Sequence, residues 1–79
     1  MEQKKALSSN FGAVLRQFRQ GKNLTQDDIA ERLQINSPYI SRLESGQKHA
    51  SIDMLWKLAK ALETTPTELI SALEKRYPV

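Results

Sequence analysis

The chain contains no cysteine. That removes disulfides and thiolate metal sites, and it suits a reducing compartment such as the cytosol. A single histidine, His49, is present, too little for a histidine-based metal site or catalytic constellation. No metal and no cofactor are therefore expected. Apolar runs are only a few residues long, whereas a membrane-spanning helix needs roughly 20 apolar residues. No charged-then-apolar signal segment opens the chain, so the expected location is cytoplasmic, without a membrane partner. Sustained alternation of apolar and polar residues, the mark of a half-buried strand, is missing. So are internal repeats and low-complexity tracts. No nucleophile–base set and no glycine-rich phosphate loop can be found, and the chain is not expected to be an enzyme. Asp27 and Asp28 point to different faces of a helix and cannot act as an acid–base pair.

What remains is a short, mildly basic, helix-rich chain. Its 79 residues allow one domain. Hydrophobic residues make up 39%, enough for a compact core rather than a disordered tail. The net charge of +3 favours an anionic partner such as nucleic acid. Residues 1–8 are polar and are expected to be a flexible segment ahead of a single domain at 9–79. The spacing predicts about five short helices. Helix 1 starts near Ser9 or Asn10 and presents Phe11, Val14, Leu15 and Phe18 on one face. It ends near Lys22, with Asn23 as a left-handed stop. Helix 2 is capped by Thr25, carries Asp27 and Asp28 at its positive end, and buries Ile29, Ala30 and Leu33. Helix 3 reads as capped by Ser37, with Pro38 at its first position and Gly46 as its stop. Helix 4 follows Ser51 and buries Ile52, Leu55, Leu58, Ala59 and Leu62. Helix 5 follows Thr65, with Pro66 at its first position, Glu68 placed for a capping box, and Leu69, Ile70, Leu73 and Tyr77 at helical spacing.

Helices 2 and 3, joined by a short turn over about 25–45, fit a helix-turn-helix. Such a unit requires its second helix to bury one face and offer the other to base edges in the major groove. At roughly 100° per residue, Ile40, Leu43 and Glu44 fall on the inner side of helix 3. Pro38, Ser41, Arg42 and Ser45 fall outward, with Ser37 at the tip. This face is short-chained, with one long cation. Arg42 is suited to a bidentate pair with guanine, and Pro38 and the Tyr39 ring to a thymine methyl. Gln26, at the start of helix 2, is placed to hold a phosphate. Lys48, His49 and the amides near Ser51 are placed to hold a second one, with Asn36 and Tyr39 as further phosphate contacts. Such contacts set register and carry no sequence information.

The strings LRQFRQGKNLTQDDIAERL, SPYISRLESG and SIDMLWKLAKAL resemble the Cro/phage-repressor helix-turn-helix family, also called the xenobiotic-response-element family. The likeness covers roughly residues 11–73. It implies an all-α, compact five-helix, lambda-repressor-like domain that binds double-stranded DNA, commonly as a homodimer on a palindrome, and regulates transcription, often as a repressor. By position it implies base reading by Ser37, Pro38, Ser41 and Arg42, a phosphate contact from Gln26, and a partly buried ion pair between Arg19 and Glu44. Two departures stand out. The family often has glycine where Asn23 and Gln34 stand, and a left-handed Gln34 costs about 1 kcal/mol. Proline at position 38 offers shape contact where relatives use a hydrogen-bonding side chain.

Trp56 lies off the main stripe of helix 4, and Ile70 and Tyr77 partly off that of helix 5. Either the core wraps round to cover them or, with Leu73, they form a dimer interface, where aromatics are enriched. The stand-alone members of the family include phage-type repressors, restriction–modification controllers and antitoxins that repress their own operon. A chain this short carries no sign of a toxin-binding tail or of a small-molecule ligand. A protein-interaction module using the same fold would be expected to show apolar anchors on helix 3, and few are present.

Overall fold

The computed structural model describes the backbone from Glu2 and side chains from Leu7 onward. Among the described residues there are five helices and no strand: α1 Glu2–Gly21, α2 Gln26–Leu33, α3 Ser37–Ser45, α4 Ile52–Ala61 and α5 Pro66–Arg76. The expected start of helix 1 at Ser9 or Asn10 is too late, since helical backbone runs from Glu2. Of the segment 1–8 expected to be flexible, Met1 and the side chains of residues 2–6 lie outside the described residues. Ser8 is buried against the rest of the fold.

Local chemistry fixes the helix ends. Asn23 and Gln34 both adopt the left-handed conformation, with φ of 59° and 58°. The Gln34 amide closes α2 onto the carbonyls of Ala30 and Glu31. Thr25 and Asp28 form a full reciprocal box: Asp28 N–H donates to Thr25 Oγ1 at 3.0 Å and Thr25 N–H donates to Asp28 Oδ2 at 2.8 Å. Those bonds from Thr25 hold the Asp28 carboxyl below its ordinary range. At Thr65 the bond is from Glu68 N–H to Thr65 Oγ1. The cap of α3 is Asn36, not Ser37. Its Oδ1 accepts from Tyr39 N–H at 3.0 Å, so Ser37 is the first helical residue and Pro38 the second. An asparagine oxygen caps as well as a serine one, and proline is equally free of cost in either first-turn position because neither N–H has an intrahelical partner.

The core gathers one stripe from each helix: Val14 and Leu15, Ile29 and Ala30, Ile40 and Leu43, Leu55, Leu58 and Ala59, with Leu62 and Leu69 closing the last turn. Helix α1 packs across α3 and α5, α2 across α3 and α4, and α4 against α5. The radius of gyration, 11.6 Å, is that of a close-packed chain of this length. Ile52 does not join the core as expected. It sits at the first position of α4, past the edge of the packed layer, and is 71% exposed. No helix among the described residues is long and apolar enough to cross a membrane.

Candidate nucleic-acid interface

Helix α3 is held by its inner face and left open on its outer one. Ile40 and Leu43 are fully buried, and Glu44 is 5% exposed. Pro38, Ser41, Arg42 and Ser45 are exposed, and Ser37 is half-buried. Arg42 forms no ion pair among the described residues. Gly46, at φ 85°, ends the helix in a left-handed turn whose amides, with that of Gln47, return to the carbonyls of Arg42 and Leu43.

The inner face is anchored by the Glu44 carboxylate. Arg19 donates to it twice, from Nε to Oε2 at 2.6 Å and from Nη2 to Oε1 at 3.0 Å, a bidentate geometry that strengthens the pair. Arg16 Nε reaches Oε1 at 3.4 Å, and Gln26 Nε2 donates to Oε1 at 3.0 Å. Arg19 also donates to the Leu24 carbonyl at 2.9 Å, tying in the α1–α2 turn. Burial, the largest single influence, pushes the Glu44 carboxyl up. Hydrogen bonds from Arg19 and Gln26, the Arg19 charge and the Arg16 bond outweigh it, and the net direction is down. Glu44 is therefore a carboxylate that binds α1, α2 and α3 into one unit. The roles of Arg16 and Gln26 in this cluster are not legible in helical spacing, because they depend on how α1 and α2 cross α3.

Gln26 has two jobs available. Its Nε2 carries two protons. One goes to Glu44, which fixes the amide's orientation and leaves the second without a partner among the described residues. On the far side of α3, Lys48 and His49 are exposed on the loop before α4. His49 Nδ1 is bonded to Ser8 Oγ at 2.5 Å, which leaves Nε2 as the nitrogen free to meet a ligand. Ser8 was not among the expected site residues. Nothing in a polar N-terminal octapeptide signals contact with a loop 41 positions away. Asn36 spends its oxygen on capping and keeps its amide donors, and Tyr39 is half-buried against the core.

The family model for helix-turn-helix proteins matches residues 15–69. The chain belongs to the helix-turn-helix family, in its Cro/phage-repressor type. Among curated relatives it is 39% identical over 64 residues to the transcriptional activator BcrR of Enterococcus faecalis, covering 81% of this chain and 31% of BcrR. It thus spans about a third of that relative's length. It is 36% identical to the control protein C.BamHI of Bacillus amyloliquefaciens, covering 76% of this chain and 75% of C.BamHI. Among solved structures, the clp gene regulator ClgR of C. glutamicum superposes with a TM-score of 0.86 at 29% identity, over 92% of this chain and 95% of ClgR. The restriction–modification controller C.Esp1396I, solved as a tetramer with its 35 base-pair operator, gives 0.80 at 29% identity, over 87% of this chain and 91% of that one. This helix-turn-helix chain is thus a DNA-binding regulator by family, with α2 and α3 as its helix-turn-helix.

Proposed function

We propose that this helix-turn-helix protein is a cytoplasmic transcription regulator that binds a palindromic operator as a homodimer, each copy laying α3 in the major groove. The observation that carries this reading is the division of α3. Its inner face is locked by the Glu44 cluster, and its outer face offers short side chains around Arg42, which forms no ion pair among the described residues. In this reading Ser37, Pro38, Ser41 and Arg42 meet base edges. Gln26, Asn36, Tyr39, Lys48 and His49, with the amides opening α2 and α4, hold phosphates. The likeness to control proteins, one of them solved on its operator, supports a controller or simple-repressor type over an antitoxin.

The dimer reading rests on exposed apolar side chains of α4 and α5. Trp56 on α4 is 60% exposed and Ile70 on α5 44% exposed, Leu73 on α5 is half-buried, and Tyr77, just past the end of that helix, is half-buried too. Trp56 and Ile70 are thus not wrapped by the core. A two-fold dimer would set two α3 helices about 34 Å apart, one DNA turn.

Selection of bound duplexes from a random pool tests the function. Enrichment of an inverted repeat with half-sites one turn apart is the expected result, and weak binding lost in moderate salt with no enriched sequence would refute it. Two variants separate the roles. Arg42→Ala is expected to weaken the best site by about 1–3 kcal/mol, roughly five- to a hundred-fold, and to relax preference at one base pair per half-site. Gln26→Ala is expected to weaken all sequences alike. Mobility-shift titrations on the selected site and on random DNA would show the difference, with thermal melts confirming that Gln26→Ala, which also loses its bond to Glu44, remains folded. Equal behaviour of the two variants on both DNAs would overturn the assignment.

A further inference from the structure

Beside the exposed stripe of α4 lies an open apolar groove of about 210 Å³. Leu7 and Phe11 of α1, Ile52 and Leu55 of α4, and Ile70 and Leu73 of α5 form its walls. Three of these, Leu7, Ile52 and Ile70, are 42%, 71% and 44% exposed. The largest exposed apolar side chain described, Trp56, is not in the groove. It stands one turn beyond Ile52 on the same helix, about 6 Å along the axis. The molecule therefore presents a knob and a hole side by side on one face.

We propose that in the homodimer Trp56 of each copy fills the groove of the other. This rests on the dimer reading above and names the contact that makes it. Three observations favour a second copy as occupant. The first is size: an aliphatic cavity of roughly 150 Å³ takes a benzene ring, so this groove has room for an indole. The second is symmetry. A two-fold contact requires one patch to complement itself. If α4 packs antiparallel to its copy, with the axis between Ile52 and Trp56, each Trp56 lands over the other's Ile52 at the mouth of the groove. The third is polarity. A buried indole N–H needs an acceptor, and one wall of the groove is made by Ser8, Lys48, His49, Ala50 and Ser51, where the Ser8 and Ser51 hydroxyl oxygens each keep a lone pair beside their bonds to His49 and to Met54 N–H.

Trp56 is the only tryptophan, so intrinsic fluorescence reports on it alone. As protein concentration rises through dimerisation, its emission is expected to shift to the blue and its quenching by acrylamide to fall. Trp56→Ala and Ile70→Lys each alter an exposed side chain, and circular dichroism melts would confirm their folds. Each is expected to weaken dimerisation, measured by sedimentation equilibrium, at least about 30-fold. Mixing the two variants is the decisive step. Each variant homodimer lacks both knob–hole contacts, whereas the mixed dimer regains one: the intact Trp56 of Ile70→Lys enters the intact groove of Trp56→Ala. The mixed dimer should associate more tightly than either homodimer. A mixture no tighter than the homodimers, an emission spectrum unchanged on dimerisation, or a wild-type protein monomeric throughout would overturn the proposal. Binding of the same variants to a duplex carrying a single half-site reports on DNA reading separately. Retained half-site binding leaves that reading standing whatever the fate of the knob and hole.

Discussion

Gly12→Ala is expected to lower stability by about 3 kcal/mol or more, at or beyond the upper end of the usual range for overpacking. For a domain of this size that is a fall in Tm of roughly 12–24 °C. Gly12 is where α1 crosses α3. A Cβ placed there would stand 2.6 Å from both the Glu44 carbonyl carbon and the Leu43 carbonyl oxygen, and closer still to the Glu44 carbonyl oxygen. These are backbone atoms of a helix and cannot swing aside. Relief requires α1 to lift off α3, which would open the packing of Val14 and Leu15 and stretch the Arg19–Glu44 pair. Alanine gains about 1 kcal/mol of helix propensity over glycine, too little to offset the clash. Gly21→Ala is the control, because nothing lies within 4 Å of a Cβ there. Its Tm is expected to hold or rise slightly. Thermal melts followed by circular dichroism decide the matter, and a Gly12→Ala melt matching that of wild type would mean that the helices do not approach so closely.

Removal of the Glu44 carboxylate is expected to cost a similar amount. Breaking a buried ion pair from one side typically costs about 3–5 kcal/mol, because the other charge is left buried. Here the guanidinium of Arg19, with its side chain 12% exposed, would keep only the Leu24 carbonyl. Partial access to water and the half-exposed Arg16 place the expected loss for Glu44→Ala near the lower end, about 3 kcal/mol. Urea unfolding at neutral pH measures it. The Glu44 carboxyl is held below its ordinary value in the folded state. Its contribution is therefore fully present above the unfolded pKa of about 4.3, and is lost as pH falls through the folded value. Wild type should lose stability progressively below about pH 4, and Glu44→Gln should lose less over the same range. Parallel pH profiles for the two would remove Glu44 from the acid response. Because Gln26 is oriented by the same carboxylate, Glu44→Gln is also expected to weaken DNA binding without changing which base pairs are preferred.

Much of this helix-turn-helix protein is legible in local sequence. Caps at Thr25, Ser51 and Thr65, left-handed stops at Asn23 and Gly46, and the inward–outward split of α3 all depend on neighbours within about one turn, so spacing alone reveals them, whereas the left-handed Gln34 is implied only by the family resemblance. Spacing does not separate the two candidate caps of α3, because Asn36 and Ser37 are both good caps and only the backbone conformation chooses Asn36. Long-range geometry left no such mark. The burial of Ser8 against His49, the need for glycine at position 12, and the convergence of Arg16 and Gln26 on Glu44 arise where helices distant in sequence cross. The exposure of Ile52 has the same origin: it continues the apolar stripe of α4, but the stripe outruns the layer that covers it. Periodicity and short-range hydrogen bonding fix the number of helices, most of their ends and the outward face of α3, but not the start of α1 at Glu2 or the choice of Asn36 as the cap of α3. Which apolar and polar side chains are covered is set by the packing of the helices, because burial depends on which helix lies across which.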